Sequence, residues 1–308
     1  ELVQSLRHNA YFAVDEGPSL EALEIGLKDG TVRGVAVIPE HFEQGMVLQQ
    51  PRDIQLVTDG SQVNTATFLT AHLRGALRDW ALARAAEEGD NAGPALQLVA
   101  RFNYNPGLES RFMLVPGAIG IVMAMIGSLL TALIMAREYE RGTMEGLLST
   151  PISIPSLVLS KLLPYYVLGL ASTGICVLVA VFGYGLPFRG SILALFLIAS
   201  AFLAAVLGQG LLISAATKNQ FVSTQFALLS GFLPSLLLSG FLFEIDSMPP
   251  AIRWLTYIVP ARYLIPPLQG VFLVGDVWSL FLPNIAILFG FGAFFFLRVT
   301  RAIKRRIA

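Results

Sequence analysis

A short segment carries three carboxylates and two arginines within nine residues: Arg137, Glu138, Glu140, Arg141 and Glu145. Carboxylates and guanidinium groups form charge-assisted hydrogen bonds with one another or with a partner. The cluster directly follows the run Met113–Ala136, which contains no charged side chain. A charged cluster beside an apolar run of this length predicts a surface where a membrane protein contacts a partner in water.

The faces of this segment follow if it is treated as one helix over 137–150, with about 100° of rotation per residue. One face then holds Glu138, Arg141, Gly142, Glu145 and Ser149, and the opposite face holds Met144, Leu147 and Leu148. Glu140 falls on the apolar side, so it is expected to point into an interface or to pair with a basic residue. Pro151 and Pro155 are expected to end the helix. The alternative is a plain cytoplasmic connection whose arginines only satisfy the positive-inside rule.

The sequence contains no motif for ATP hydrolysis, metal-dependent hydrolysis or proton transfer. The chain has no GxxxxGK[ST] phosphate loop, no HExxH pattern and a single cysteine, Cys176. The apolar cores of the predicted spans also lack the ionisable side chains that proton relays use. The chain is therefore predicted to be no enzyme, to hold no metal or cofactor, and to receive its energy from a partner.

Composition separates the chain into two parts. Apolar residues make up 55% of the sequence and charged residues only 14%. Residues 1–110 contain 15 acidic and 8 basic residues, whereas residues 111–308 contain 6 and 13. We therefore expect an acidic domain outside the membrane (1–110) and a basic membrane domain (111–308). The basic residues lie at span ends and form no patch, so a nucleic-acid partner is not expected.

Five apolar stretches are long enough to cross a bilayer as helices, since about 20 residues suffice. They cover 112–136, 157–183, 191–217, 221–243 and 279–298. Basic residues collect at the first and third connections and after the last span: Arg137, Arg141, Lys161, Lys218, Arg298, Arg301, Lys304, Arg305 and Arg306. The positive-inside rule then predicts a cytoplasmic C-terminus and places residues 1–110 on the outer side. An outer domain needs an export signal, so a sixth span is expected before Glu1.

Residues 1–110 predict a small α/β domain. Buried strands are expected at 32–38, 54–58 and 96–102. Helices are expected at 18–29 and 61–88, the second with Ser61 as its N-cap. The sequence Asn91-Ala92-Gly93-Pro94 is expected to break the chain. The fold class is thus mainly α, a polytopic helical membrane bundle with this small extracytoplasmic domain.

Residues 245–278 are too apolar for a plain loop and too interrupted by proline to span a bilayer. Short helices are expected at about 251–258 and 261–274, and the aromatic residues suit the headgroup level. The segment is predicted to be a re-entrant element that dips into the outer leaflet under protein cover. A pair of interfacial helices that only packs the bundle is the alternative.

Small residues recur at helical spacing within the spans: Gly117, Gly120, Ala124, Gly127, Gly208 and Gly290. Such patterns let helices approach closely. They fit packing within one chain or dimerisation, and both interpretations remain open.

The run RExERGTMExLLSTPIS, residues 137–153, resembles the signature of type-2 ABC exporter permeases. Further matches to the YbhS/YbhR/YhhJ group of bacterial inner-membrane permeases occur in order along the chain: VRGVAVIP (32–39), VTDGSQVNT (57–65), LLPYY (162–166), LLISAATKNQ (211–220), SGFLFEIDSMP (239–249) and IVPARY (258–263). The resemblance implies six spans, a periplasmic insertion after the first, and a multi-pass protein of the bacterial inner membrane. It also implies two permease subunits, identical or paralogous, and two ATPase subunits that bind ATP and Mg²⁺.

The resemblance assigns roles to particular residues. It implies contact with the ATPase subunits at Glu138, Glu140, Arg141, Gly142, Thr143 and Glu145. It also implies an exit-side gate, for which the sequence offers Pro260, Arg262 and Tyr263. The expected function is ATP-driven export of an apolar or amphipathic, drug-like or lipid-like substrate, with docking to a periplasmic adaptor as a further expectation. The alternatives are a membrane-anchored sensor or assembly subunit and an ion-coupled carrier, although the uncharged spans argue against the carrier.

Overall fold

The computed structural model describes residues 2–8, 12–15, 17, 23, 26–27, 32–39, 42, 53–60, 63–88, 96–243 and 245–303. The chain divides into two compact units, Glu1–Ser110 and Arg111–Ala308. Each unit has its own hydrophobic core, and each is described separately below.

The first unit combines helices with a three-stranded sheet. Its elements are α1 (Leu2–His8), β1 (Gly34–Val37), β2 (Ile54–Asp59), α2 (Val63–Glu88) and β3 (Leu98–Asn103). The sheet order is β1-β2-β3, with β1 antiparallel and β3 parallel to β2. A parallel pair requires a crossover connection, and α2 provides it.

The core of this unit is built from α1, α2 and the central strand. Leu2, Ile54, Leu56, Leu73 and Leu77 are all buried in one cluster. Burial alternates along β2, because successive side chains of a strand point to opposite faces. The predicted strands at 54–58 and 96–102 correspond to β2 and β3. Most of the predicted helix 18–29, the Ser61 N-cap and the break at 91–94 lie outside the described residues.

The second unit contains five helices that are long and apolar enough to cross a membrane, which confirms the predicted number within the described residues. They are α3 (Ser110–Glu140), α5 (Ile154–Gly183), α6 (Ile192–Thr217), α7 (Gln220–Leu238) and α10 (Trp278–Ala302), and a short helix α4 (Thr143–Ser149) follows α3. The last turn of α5, Val179–Gly183, and the middle of α7, Leu228–Phe232, are π-helical.

The fourth span is shorter than predicted. The prediction extended to residue 243, whereas α7 ends at Leu238. Gly240 follows with a φ of 89°, in the left-handed region that terminates a right-handed helix. Hydropathy did not indicate this end, because Phe241 and Leu242 are as apolar as the helix before them.

Helices α3 and α6 form the centre of the unit. In the most apolar stretch of each of these two helices, 61% and 67% of the residues are buried. The corresponding values for α5, α7 and α10 are 17%, 22% and 22%. The three outer helices therefore expose apolar side chains over most of their surface, as helices in contact with lipid or with another subunit do.

The helix ends that carry most of the basic residues of the membrane unit meet at one end of the bundle. A single buried cluster joins Met135 of α3, Met144 of α4, Val158 of α5, Leu211 of α6 and Val299 of α10. The first connection, the third connection and the C-terminal end of α10 thus lie together. The basic residues at these positions consequently collect at one end of the unit.

The small residues mostly pack inside the chain. A Cβ added to Gly120 would lie 2.9 Å from Ile265 Cδ1, and one added to Gly127 would lie 3.1 Å from Val206 Cγ1. Gly208 faces Phe295 at 3.0 Å. Gly290 differs, because nothing lies within 4 Å of its added Cβ. Intrachain packing therefore accounts for the first three positions and leaves Gly290 on an open surface.

The predicted re-entrant segment is a series of short helices. It comprises a 3-10 turn Ile245–Ser247, α8 (Pro250–Thr256), a second 3-10 turn Pro260–Tyr263 and α9 (Ile265–Leu273). The second predicted helix, 261–274, is therefore divided at Leu264. Helix α9 is almost entirely buried, whereas Trp254 and Ile258 are 75% and 68% exposed. The buried part has the protein cover that a re-entrant backbone requires.

Candidate functional site

The charged segment is divided by a break between two helices. Helix α3 continues to Glu140, and α4 begins at Thr143. Between them Gly142 has a φ of 70°, which side chains with a Cβ rarely adopt. The prediction of one continuous helix over 137–150 is wrong, because the left-handed residue changes the direction of the chain after α3.

Helix α4 ends where the sequence predicted a stop. Thr150 follows Ser149 with an extended ψ of 154°. The ring of Pro151 excludes helical geometry from the residue before it. The segment is thus a single short helix held between a glycine and a proline.

Packing attaches α4 to the end of the bundle by one side. Met144 is only 2% exposed, and Leu147 and Leu148 pack against the same cluster. Glu145, Gly146 and Ser149 are exposed on the other side. Within α4 the predicted apolar and polar faces are therefore confirmed, because periodicity holds as long as the helix is unbroken.

Glu138 is engaged inside the chain. Its Oε1 lies 2.5 Å from Nζ of Lys161 on α5, and its Oε2 accepts a hydrogen bond from the hydroxyl of Thr143. The side chains of Lys161 and Glu138 are 29% and 22% exposed. The sequence placed Glu138 on the outward face with Glu145, but its carboxylate connects α3, α4 and α5.

Glu140 is exposed and does not lie on an apolar face. Its Oε1 accepts from the backbone N–H of Gln220 at 2.8 Å, and its Oε2 accepts from the Gln220 side chain. Gln220 is the first residue of α7, so the carboxylate stabilises the helix N-terminus through its free N–H and the helix dipole. The sequence predicted a basic partner for Glu140, but its partner is the amide residue Gln220. The prediction that Glu140 lies on the apolar face of a helix is wrong, because α3 ends at this residue.

The remaining predicted contact residues lie on the surface beside α4. Arg141, Gly142 and Thr143 are all exposed. The hydroxyl of Thr143 bonds to Glu138, whereas Glu145 forms no side-chain hydrogen bond or ion pair with any described residue. Glu145 is consequently the carboxylate of this segment that is available to another molecule.

The three predicted exit-side residues lie together around the 3-10 turn after α8. The guanidinium of Arg262 stacks on the Tyr257 ring at 3.7 Å and donates to the Thr256 hydroxyl. The Tyr263 hydroxyl donates a hydrogen bond to the Tyr257 carbonyl at 3.1 Å. Pro260 is buried. These contacts fold α8 back onto the turn.

A reciprocal pair of caps, which the sequence analysis did not identify, stabilises the opposite end of the bundle. Arg189, before α6, donates from Nη1 to the carbonyl of Leu273 at the end of α9, at 2.9 Å. Asp276, after α9, accepts from the N–H of Ser191 at the start of α6, at 2.8 Å. Each charge has the sign that the helix end favours. The sequence signals that could have predicted these caps were a single arginine before α6, Arg189, and a single aspartate after α9, Asp276.

The charged segment presents an exposed polar surface, formed by Glu145, Gly146 and Ser149, at one end of the bundle. Among the described residues, no group of three or more His, Cys, Asp or Glu side chains could hold a metal ion. A helical membrane unit carries an amphipathic helix at the end where its basic residues collect. This combination defines a polytopic helical membrane protein with a short, partly exposed amphipathic helix at one end of its bundle.

Comparison with known proteins identifies the class. Residues 1–300 match the family described as ABC-2 family transporter protein. The chain is 45% identical over 282 residues to the probable multidrug ABC transporter permease YbhS of Escherichia coli (strain K12), which covers 91% of this chain and 75% of the relative. It is 27% identical over 256 residues to the probable multidrug ABC transporter permease YbhR of the same organism, covering 81% and 68%. It is 26% identical over 310 residues to its inner membrane transport permease YhhJ, covering 96% and 80%.

The chain therefore belongs to the ABC-2 transporter family, as a transmembrane permease subunit. Permeases of this kind have no ATPase domain of their own, and partner subunits hydrolyse ATP. The resemblance stated from the sequence motifs is confirmed.

Proposed function

We propose that this permease exports an apolar or amphipathic, drug-like or lipid-like substrate across a bacterial inner membrane, and that α4 is its contact with the ATPase subunits. The observation that carries this proposal is the structure of α4. Buried Met144 fixes the helix to the bundle, and Glu145, Gly146 and Ser149 face outward. A helix held on one side and free on the other can bind a partner and pass displacement to the spans.

The orientation follows from charge. Arg137, Arg141, Lys161, Lys218 and Arg298 belong to the end of the bundle that carries α4. The positive-inside rule makes this end cytoplasmic. ATP is available there, the first unit then lies in the periplasm, and its acidic surface is a candidate for an adaptor protein. A second permease subunit covers part of the exposed apolar surface of the outer helices.

The nature of the substrate follows from the lining of the spans. No charged residue occurs from Leu162 to Phe188 or from Gly190 to Thr217. A small cleft between α3, α5 and α6 is lined mainly by apolar side chains such as Met123 and Leu203, and Tyr165 and Ser172 are its polar lining residues. A small ion would lack ligands in such surroundings, whereas an apolar or amphipathic molecule would not.

The test combines binding and transport. Glu145→Lys reverses the exposed charge on α4 and is expected to reduce both co-purification of the ATPase subunits and ATP-dependent dye transport into inverted vesicles. Arg298→Glu is the matched control, because it reverses an exposed charge near the same end of the bundle on a different helix. The assignment of α4 is refuted if Glu145→Lys behaves like the control. Transport that continues without ATP but stops when the proton gradient collapses would refute ATP-driven export.

A further inference from the structure

Three consecutive residues at the end of α3 each contact a different element. Glu138 bonds to Lys161 of α5 at 2.5 Å. Nζ of Lys218, which follows α6, lies 5.0 Å from the centre of the Tyr139 ring. Glu140 accepts from the N–H of Gln220 of α7 at 2.8 Å. One helical turn therefore connects α3 with α5, with the end of α6 and with the start of α7.

Glu138 adds a direct connection to α4. One carboxylate oxygen binds Lys161, and the other accepts from the hydroxyl of Thr143, the first residue of α4. The main chain reaches α4 by another route, through the left-handed Gly142. A displacement of α4 consequently acts on α5 through the Glu138 carboxylate as well as through the backbone.

These contacts separate the carboxylates of the segment into two groups. Both oxygens of Glu138 and both oxygens of Glu140 accept hydrogen bonds within the chain. Glu145 is exposed and binds no described residue. A carboxylate whose oxygens already accept hydrogen bonds from neighbouring helices has less capacity to bind a partner than a carboxylate without such bonds.

We infer that Glu138 and Glu140 are positioning residues that transmit the movement of α4 to α5 and α7, and that Lys161 and Gln220 receive it. This inference rests on the proposed contact between α4 and the ATPase subunits. It differs from the assignment of these two glutamates as contact residues. Binding of the ATPase then belongs to the outward face of α4, while the last turn of α3 determines how much transport results from each ATP.

The main test is a charge exchange in the complete complex of permease and ATPase subunits. Lys161→Met and Lys161→Glu are expected to retain ATPase co-purification and to lower transport per ATP by roughly 2- to 5-fold, the size of effect that a surface ion pair can support. Glu138→Lys with Lys161→Glu restores the opposite charges and is expected to restore most of the lost transport. A double variant that transports no better than Lys161→Glu would overturn the inference.

A second comparison, of two substitutions at Glu140, does not depend on assembly of the Glu138→Lys, Lys161→Glu double variant. Glu140→Gln keeps an oxygen that can accept from the Gln220 N–H, whereas Glu140→Ala removes both acceptors. The alanine variant is expected to lose more transport per ATP than the glutamine variant, with equal ATPase co-purification. Loss of co-purification in Glu140→Ala to the extent seen in Glu145→Lys would identify Glu140 as a contact residue and overturn the inference.

The two proposals fail in different ways. If Glu145→Lys leaves ATPase binding intact, the contact assignment of α4 is wrong, whatever the Lys161 variants do. If Glu145→Lys abolishes binding and the Lys161 variants leave transport per ATP unchanged, the contact stands and the positioning roles are wrong.

Discussion

Gln209 of α6 donates from Nε2 to the backbone carbonyl of Ser230 in α7, at 3.0 Å. This carbonyl is the one to which an α-helical residue 234 would donate, but residue 234 is a proline and has no N–H. Ser230 itself lies within a π-helical turn, Leu228–Phe232. The Gln209 side chain of α6 thus donates to a carbonyl of α7 that Pro234 cannot serve.

The first prediction concerns this bond. Gln209→Leu leaves the Ser230 carbonyl without its donor, and we expect a loss of stability of about 0.5–1.5 kcal/mol, as for other hydrogen bonds within membranes. Pro234→Ala restores a backbone N–H, so Gln209→Leu should cost less in that background. Thermal unfolding in detergent of all four combinations measures the coupling. Equal losses in both backgrounds would contradict the relationship.

The second prediction concerns the two glycines of the charged segment. Gly142→Ala places a Cβ on a residue with a φ of 70°, although no atom lies within 4 Å of it, so the cost is conformational, about 1–2 kcal/mol. Gly146→Ala is the matched control, because it also has open space but lies within α4, where alanine is favoured by roughly 0.5–1 kcal/mol. Hydrogen exchange of α4 should increase in the first variant and decrease in the second. A change of the same sign in both would show that backbone conformation is not the cause.

The third prediction concerns the anchor of α4. Met144→Ala removes a buried side chain from the cluster at the end of the bundle and should weaken the packing of α4 by roughly 2–4 kcal/mol. Met144→Leu conserves the volume and should cost less than about 1.5 kcal/mol. The protease sensitivity of residues 141–150 distinguishes the alanine variant from the leucine variant. Retention of the ATPase subunits is a second measurement. Equal behaviour of the alanine and leucine variants would show that the burial of Met144 does not hold α4.

The fourth prediction concerns the reciprocal caps at the other end. Asp276→Ala removes the acceptor for the Ser191 N–H and should lower stability by about 1 kcal/mol, a typical cost for a lost helix cap. Asp276→Asn retains an oxygen and should lose less. Arg189→Ala should lose stability as well, because the carbonyl of Leu273 loses a charged donor. The order of melting temperatures, with aspartate above asparagine and asparagine above alanine, is the expected result, and an inverted order would refute the cap.

Much of the membrane unit could be predicted from local pattern. Hydropathy identified five spans because each is a continuous apolar run of sufficient length. The inward side of α4 followed from helical periodicity at Met144 and Leu147, and its end followed from Pro151. Basic residues such as Lys161 and Lys218 alternated between connections, which indicated the common end of the bundle.

The errors share one cause. A periodic pattern carries no information on where a helix changes direction, so the break at Gly142 was missed and Glu140 was assigned to the wrong side. The end of α7 at Leu238 was missed for the same reason, because apolar residues continue beyond it. A glycine can lie within a helix, as Gly146 does, or interrupt one, as Gly142 does, and the surrounding contacts decide between the two.

Composition and spacing were sufficient to predict a polytopic membrane protein, because the need to bury apolar helices in a membrane acts on each span separately. The pairing of charges was decided only in three dimensions. Glu138 meets Lys161 across 23 positions, and Glu140 meets Gln220 across 80. No local rule connects residues so far apart in the sequence. Their contact arises because the helices that carry them end at the same side of one bundle, and this packing separates the glutamates held inside the chain from Glu145, which remains free for a partner.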